Sequence, residues 1–297
     1  MEFGRLITAM VTPFHEDLTI NWQQAEQLID YLIDVQRNDS LVICGTTGES
    51  PTLSDEEKEA MFRFAVEKAR GRARIIAGTG SNNTAHSIHL TRIAEMSGVD
   101  GVLLVVPYYN KPNQEGMYQH FKAIAESTRL PVMLYNVPGR TGASISVDTT
   151  LRLARDVSNI VATKECVSIE QMSLIAAGAP ASFRVYSGDD AATLPCLSVG
   201  GYGIVSVAAH LVGAQMKQMI ESYVAGHVQE AVDLNHQLHP VFKGLFEAPH
   251  PVPNPVAVKY ALQLIGYEVG SVRLPLVPAS IDEQAFIRQL VQKSVEL

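Results

Sequence analysis

Eight short apolar segments alternate with longer amphipathic segments along most of this chain. The apolar segments are rich in Val, Ile and Leu and almost uninterrupted, which is typical of parallel strands whose two faces are both covered. Eight successive strand–helix units favour a closed (β/α)8 TIM barrel of the α/β class over an open, doubly wound sheet. The predicted strands span 6–11, 41–44, 74–77, 101–106, 131–135, 160–163, 183–186 and 203–207.

No strand-like segment follows the eighth unit. The remaining sequence predicts helices over 228–246 and 255–264, and a last helix that begins after Ser280, where Ser and a Glu three residues later form a capping box. We therefore expect a barrel that carries the active site in residues 1–225 and a small C-terminal helical region in residues 226–297.

Composition excludes several classes of protein. Hydrophobic residues make up 46% and charged residues 18% of the chain, which suits a globular core and not a disordered chain. The net charge of −8 argues against a nucleic-acid or membrane-surface partner. The sequence lacks a signal peptide and an apolar stretch of about 18 residues, so we expect a cytoplasmic protein. Three scattered cysteines without a C-x-x-C pair predict neither a disulfide framework nor a metal site.

The active site of such a barrel forms at the carboxyl ends of its strands, so the residues after each apolar segment are the candidates. Lys164 follows the sixth segment. Desolvation there would lower its pKa and make the neutral amine a nucleophile toward carbonyl groups. The alternative is a structural lysine in an ion pair.

The second apolar segment is followed by Gly-Thr-Thr-Gly-Glu-Ser at 45–50. Two glycines allow a tight turn that presents backbone N–H groups together with the hydroxyls of Thr46 and Thr47. This arrangement would suit a small carboxylate, although an ordinary glycine turn is an equal alternative. It is not a phosphate-binding P-loop, because no Gly-Lys-Ser/Thr follows.

Tyrosines and an arginine lie at or just after the ends of the fourth and fifth segments. Tyr108 and Tyr109 could be rim packing or an interface anchor, and Tyr135 could relay protons. Arg140 offers a planar fork for a carboxylate, although most arginines form surface ion pairs. Together with Lys164, these residues suggest imine chemistry on a 2-oxo acid, that is, a Schiff-base aldolase or lyase that needs no metal or other cofactor.

The same motifs, in this order, are those of a known family. The chain resembles the dihydrodipicolinate synthase / N-acetylneuraminate lyase family of class I aldolases over essentially its whole length. The resemblance implies condensation of pyruvate with L-aspartate 4-semialdehyde on the biosynthetic route to diaminopimelate and lysine. The matching motifs lie at 45–50, 106–110, 135–141, 164–165 and 187–190.

The resemblance also implies catalytic roles. Lys164 would form the pyruvate imine and Tyr135 would be the general acid and base. Thr46 would connect Tyr135 to Tyr109, which in this family comes from the neighbouring subunit of a tight dimer, usually paired into a homotetramer. Thr47 and the backbone at Val205 would hold pyruvate.

Arg140 would hold the carboxylate of the semialdehyde, and it helps to separate the alternatives. A sister aldolase or lyase acting on a sugar-derived 2-oxo acid would share Lys164 and Tyr135 but need hydroxyl-binding side chains in place of Arg140. A barrel that binds a small molecule as a regulator would not need to keep the lysine and tyrosines. A phosphate-binding isomerase would not place two carboxylates at Asp189 and Asp190.

Some members of the family are inhibited by L-lysine at a dimer interface, and the resemblance locates that site here. A glutamate of the inhibited enzymes is replaced by His86, and Lys58 adds a like charge, while Asp55 could restore part of the attraction. We therefore expect weak inhibition by lysine or none. The matching positions are Ser50, Asp55, Lys58, Asn82, His86 and Tyr108.

Overall fold

Eight parallel strands close into a barrel in the computed structural model, which describes residues 2–295. Each strand pairs with its neighbours in chain order and β8 pairs with β1. The predicted fold class is confirmed, and the strand ends differ from the predicted ends by no more than two residues. The strands are β1 Leu6–Ala9, β2 Ser40–Ile43, β3 Arg74–Gly78, β4 Gly101–Val105, β5 Val132–Asn136, β6 Ile160–Glu165, β7 Arg184–Ser187 and β8 Gly203–Ser206.

Helices cover the outside of the barrel. The helix α2 begins at a complete capping box, in which Ser54 and Glu57 each satisfy a backbone N–H of the other. A short helix, α5, follows β5 directly and carries Arg140. The helices are α1 Trp22–Asp30 (extended by a π-helical turn, Tyr31–Val35), α2 Asp55–Ala69, α3 Thr84–Met96, α4 Gln114–Ala125, α5 Pro138–Thr141, α6 Val147–Asp156, α7 Ile169–Gly178, α8 Thr193–Ser198, α9 Ala209–Val224, α10 Val228–Gly244, α11 Val256–Leu264 and α12 Ile281–Val295.

The apolar core has two layers because strand side chains alternate between the two faces of the sheet. One layer fills the barrel, where inward-facing Ile7, Val42, Met133 and Val205 pack together. Phe3, which precedes β1, belongs to the same cluster and closes the amino-terminal end of the barrel. The other, larger layer lies between the strands and the helices. The carboxyl end of the barrel is therefore the end left for chemistry.

The C-terminal helices are tied to the loop after β2 by a buried ion pair. Lys259 of α11 contacts the Glu49 carboxylate at 2.7 Å, and both side chains are almost fully buried. The backbone N–H of Arg273 donates to the same carboxylate at 2.8 Å. The predicted boundary at residue 225 falls between α9 and α10, and the division into two parts stays a prediction.

The segment between α10 and α11 is irregular because it holds four prolines, which lack the backbone N–H that a regular helix needs. None of the helices within residues 2–295 has the length and apolar character needed to cross a membrane.

Candidate active site

The carboxyl ends of β5 and β6 bring Tyr135 and Lys164 side by side. Their Cα atoms are register partners, and Lys164 Nζ lies 4.3 Å from the centre of the Tyr135 ring. The sequence predicted that the strand ends at residue 163, whereas β6 continues through Lys164 to Glu165. Lys164 lies two residues after Ala162, which faces the barrel interior, so the alternation of strand side chains places the lysine on that face too.

Burial controls the charge of Lys164. The residue is only 6% exposed, and its desolvation lowers the pKa of the amine below the ordinary value for lysine. The cationic Arg140 acts in the same direction, while Cys166 and Asp190 raise this pKa. A larger fraction of the amine is therefore neutral, and the neutral form is the nucleophile.

The neighbouring Glu165 points away from Lys164 and fixes the strand end. Its carboxylate accepts hydrogen bonds from Thr163 Oγ1 at 2.9 Å and Asn136 Nδ2 at 3.1 Å, and burial raises its pKa to about 7. Asn136 Nδ2 also donates to the carbonyl of Ile145, in the segment after α5. One polar network thus joins β5, β6 and the segment that follows Arg140.

Gly188, which follows β7, leaves the space that the Lys164 side chain occupies. A Cβ atom at this position would lie 2.7 Å from Lys164 Cε and 2.3 Å from Cys166 Sγ. Both separations are shorter than real Cβ contacts, so any larger residue must displace the lysine or the thiol. Burial raises the pKa of Cys166 to about 11, which keeps this thiol protonated.

The Tyr135 phenol is buried at the mouth of the barrel. Its burial raises the pKa of the phenol, while the charge of Arg140 and the nearby Thr46 hydroxyl lower it. Tyr109, by contrast, is 88% exposed, and its backbone has a positive φ of 73°, which is uncommon for an aromatic residue. Within one chain the structure therefore joins Thr46 to Tyr135 but does not bring Tyr109 to them.

The loop at 45–50 turns tightly after β2. Cys44 and Glu49, on either side of the two threonines, adopt positive φ angles of 54° and 57°. Within residues 2–295, the backbone N–H groups of Thr46 and Thr47 donate to no protein acceptor. The Thr47 hydroxyl is buried and accepts a hydrogen bond from Asn254 Nδ2 at 2.9 Å. Two free amides and an oriented hydroxyl can hold a small carboxylate.

A cavity of about 490 Å³ opens beside these residues. Thr46, Tyr135 and Arg140 line it, and Arg140 is exposed on α5. Val205 is buried in β8 among the side chains that fill the barrel. In the part of the chain that the structure describes, no group of three His, Cys, Asp or Glu side chains could hold a metal ion.

The same cavity reaches most of the positions that the family resemblance assigned to inhibition by L-lysine. The Asp55 carboxylate lies 2.9 Å from His86 Nε2 and 3.8 Å from Lys58 Nζ. Ser50 and Tyr108 also line the cavity. Asn82 is not among the lining residues; its side-chain amide donates to the carbonyl of Tyr108 at 3.2 Å.

Comparison with known proteins decides the family. The model of the dihydrodipicolinate synthetase family matches residues 2–294. The chain belongs to the dihydrodipicolinate synthetase family. It is 56% identical over 294 residues to the 4-hydroxy-tetrahydrodipicolinate synthase of Bacillus subtilis, a match that covers 99% of this chain and 100% of that protein.

Solved structures of the dihydrodipicolinate synthetase family have the same fold. The enzyme of Cyanidioschyzon merolae, solved with lysine bound, matches with a TM-score of 0.96 and 42% identity over 99% of both chains. A structure described as the first monomeric dihydrodipicolinate synthase variant matches with a TM-score of 0.95 and 37% identity, covering 99% of this chain and 98% of that one.

Sequence reasoning missed two contacts and one open space that shape this family member's site. Asn254 and Lys259 come from the C-terminal region, more than 200 residues from the loop that they contact. A lysine in an otherwise apolar helix was a signal for the Lys259–Glu49 pair. The only signal for the Asn254–Thr47 contact was a polar residue within a proline-rich segment. The space cleared by Gly188 depends on how β6 and β7 lie together, which no local pattern reports.

We predict that Gly188→Ala slows imine formation between Lys164 and a 2-oxo acid by about a hundredfold, because the added methyl group displaces the reacting amine. Borohydride trapping with pyruvate as the 2-oxo acid measures this rate. Gly139→Ala is the matched control, since a Cβ atom there meets nothing within 4 Å. Trapping at the wild-type rate in Gly188→Ala would show that the side chain can shift without cost.

Proposed function

We propose that this chain condenses pyruvate with L-aspartate 4-semialdehyde to 4-hydroxy-tetrahydrodipicolinate, on the biosynthetic route to diaminopimelate and lysine. The observation that carries the proposal is the buried Lys164 amine at 4.3 Å from the Tyr135 ring, in a chain 56% identical to a synthase of that name. The activity is that of a lyase of the class I aldolase type. It needs no cofactor, because the protonated imine is itself the electron sink.

The first half of the reaction makes a nucleophile from pyruvate. The neutral Lys164 amine attacks the C2 carbonyl, and loss of water leaves an imine that becomes protonated. The positive charge on nitrogen then draws electrons from the methyl carbon, which loses a proton to give a neutral enamine. Tyr135, in contact with Thr46, is the proposed proton carrier.

The second half closes the ring. The enamine carbon attacks the aldehyde of the second substrate, and the resulting alkoxide takes up a proton. The amine of that substrate then attacks the imine carbon, forms a new carbon–nitrogen bond and releases Lys164 by transimination. Hydroxyl groups can move these protons without placing a fixed charge in the cavity.

The two substrates have separate proposed contacts. Thr47 and the free backbone amides of its loop would hold the pyruvate carboxylate. The backbone at Val205, in β8, would border the same molecule. Arg140 lines the cavity from α5 and would hold the carboxylate of the semialdehyde.

The proposed proton relay depends on pairing of two chains. Tyr109 is 88% exposed, so its proposed place beside Thr46 requires a neighbouring chain, as in a tight dimer. The homotetramer built from such dimers stays a prediction, and the structural relatives include a monomeric variant. The cytoplasmic location expected from the sequence also stays a prediction.

The alternatives fit less well. The names of the similar proteins do not favour a sugar-derived substrate. At the position where phosphate-binding barrels offer backbone amides, the N–H groups of Val207 and Ala208 donate to the buried Asp190 carboxylate, at 3.2 and 2.9 Å. An internal carboxylate thus occupies the amides that a phosphate would need.

We predict that borohydride added with pyruvate traps a stable adduct on Lys164, because its neutral amine is the nucleophile. Mass analysis of the peptide that contains Lys164 locates the adduct. Lys164→Met, which keeps the length of the apolar chain without the amine, should trap nothing. An adduct on another peptide, or none in the wild type, would end the proposed mechanism.

We predict that Arg140→Ala lowers kcat/KM for the semialdehyde ten- to a hundredfold, roughly the loss of a charge-assisted hydrogen bond, while pyruvate trapping at high pH stays near the wild-type level. The Arg140 charge lowers the pKa of Lys164. Its removal should therefore move the midpoint of trapping against pH to a higher pH.

The control for this prediction is Arg140→Lys, which keeps the charge and loses the planar fork. It should leave the pH midpoint of trapping near the wild-type value and still impair use of the semialdehyde. If trapping fell as far as turnover in Arg140→Ala, Arg140 would have a structural role.

We predict that L-lysine in the millimolar range leaves initial rates within about a factor of two, because Lys58 repels an ammonium ion and His86 already engages Asp55 at 2.9 Å. In His86→Glu combined with Lys58→His, inhibition should appear, since an anion returns and a like charge is removed. Strong, saturable inhibition of the wild type would contradict the role given to these positions.

A further inference from the structure

The loop that carries Thr46 and Thr47 is held from two directions. From the segment after β1, Thr12 Oγ1 donates to the carbonyl of Gly48 at 2.7 Å. From the C-terminal region, Lys259 contacts the Glu49 carboxylate at 2.7 Å, in a pair that is almost fully buried. The position of the loop backbone is thus fixed independently of any ligand.

One contact from the C-terminal region acts on a side chain of the loop instead of its backbone. Asn254 Nδ2 donates to Thr47 Oγ1 at 2.9 Å, and the two residues are 7% and 3% exposed. A threonine hydroxyl has one proton to donate and two lone pairs to accept. Because a lone pair is used by the Asn254 amide, the hydroxyl proton remains free for another acceptor.

We propose that Asn254 is a positioning residue for the carboxylate of the 2-oxo acid. It orients the Thr47 hydroxyl so that the hydroxyl proton points to the carboxylate, and it does not touch the reacting atoms itself. This inference rests on the proposed function, in which the loop holds pyruvate. A residue that contributes to the affinity for the first substrate would thus lie outside the barrel strands and their loops.

The expected kinetic effect follows from where the carboxylate stands in the reaction. It is bound in the same way in the ground state and in the transition state of imine formation, so a contact to it contributes uniform binding. Without Asn254 the hydroxyl can rotate and donate elsewhere. We expect KM for pyruvate to rise about tenfold, equivalent to about 1.4 kcal/mol, with kcat and KM for the semialdehyde close to wild type.

The test compares Asn254→Leu and Asn254→Ala with the wild type by steady-state kinetics and thermal unfolding. Leucine has the branched shape of asparagine and fills its space without the donor, so both variants should show the rise in KM for pyruvate. If the space alone matters, Asn254→Leu should behave as the wild type, which would overturn the proposal. If Asn254→Ala does not fold, the leucine variant still tests the proposal.

The matched control is Asn38→Ala. Asn38 is also buried and its Oδ1 accepts from Thr8 Oγ1 at 2.6 Å, but it precedes β2 at the opposite end of the barrel. This variant should lose stability and keep the wild-type KM for pyruvate. An equal rise in KM in Asn38→Ala would show that general destabilisation, and not Thr47, explains the effect.

A double-mutant cycle identifies the partner. In a Thr47→Val background, which has no hydroxyl to orient, Asn254→Leu should raise KM for pyruvate no further. An additional tenfold rise there would overturn the proposal. Failure of the proposed function would look different: the wild type itself would give no adduct at Lys164 and no condensation.

Discussion

Desolvation of the Lys164 amine is the physical condition on which the chemistry of this site depends. A lysine in water is almost entirely protonated at neutral pH and cannot attack a carbonyl group. Inside the barrel mouth the charged form loses its hydration, and Arg140 adds repulsion, so the pKa falls. The surrounding features keep the amine buried at the barrel mouth, next to the Tyr135 ring.

The closed sheet provides that environment. Residues that lie far apart in the sequence reach one opening because all eight strands run in the same direction. The inward face of β6 carries the amine, while the outward Glu165 is bound by Thr163 and Asn136. The absence of a side chain at Gly188 clears the space beside the amine. Rigid strands thus set the distances around the amine, and the loops carry most of the proposed substrate contacts.

Sequence patterns predicted the parts of the structure that are locally determined. Each strand is a short apolar run, and each capping box is a fixed spacing of Ser and Glu, so both could be recognised without knowledge of the fold. The position of Lys164 at a strand end followed from the same patterns. The pair of Asn254 and Thr47, separated by 207 residues, could not be predicted, because it depends on where the C-terminal segment crosses the barrel mouth.

The motifs alone also did not show which site residues a single chain fails to bring together. They marked both Tyr109 and Tyr135, since Tyr135 lies near the end of one barrel strand and Tyr109 follows another. Burial separates the two, since Tyr135 is 6% exposed and Tyr109 is 88% exposed. Only the family resemblance gave a reason for the difference.

The exposure of Tyr109 has a consequence for what counts as one catalytic unit. If each site borrows this tyrosine from a neighbour, activity per chain falls on dilution as the assembly dissociates. Mixed assemblies then follow simple combinatorics: a chain without Tyr109 and a chain without Tyr135, each inactive alone, would restore one complete site in two when they pair. Whether a substitution abolishes activity in such an enzyme thus depends on which two chains pair, and not on the substituted chain alone.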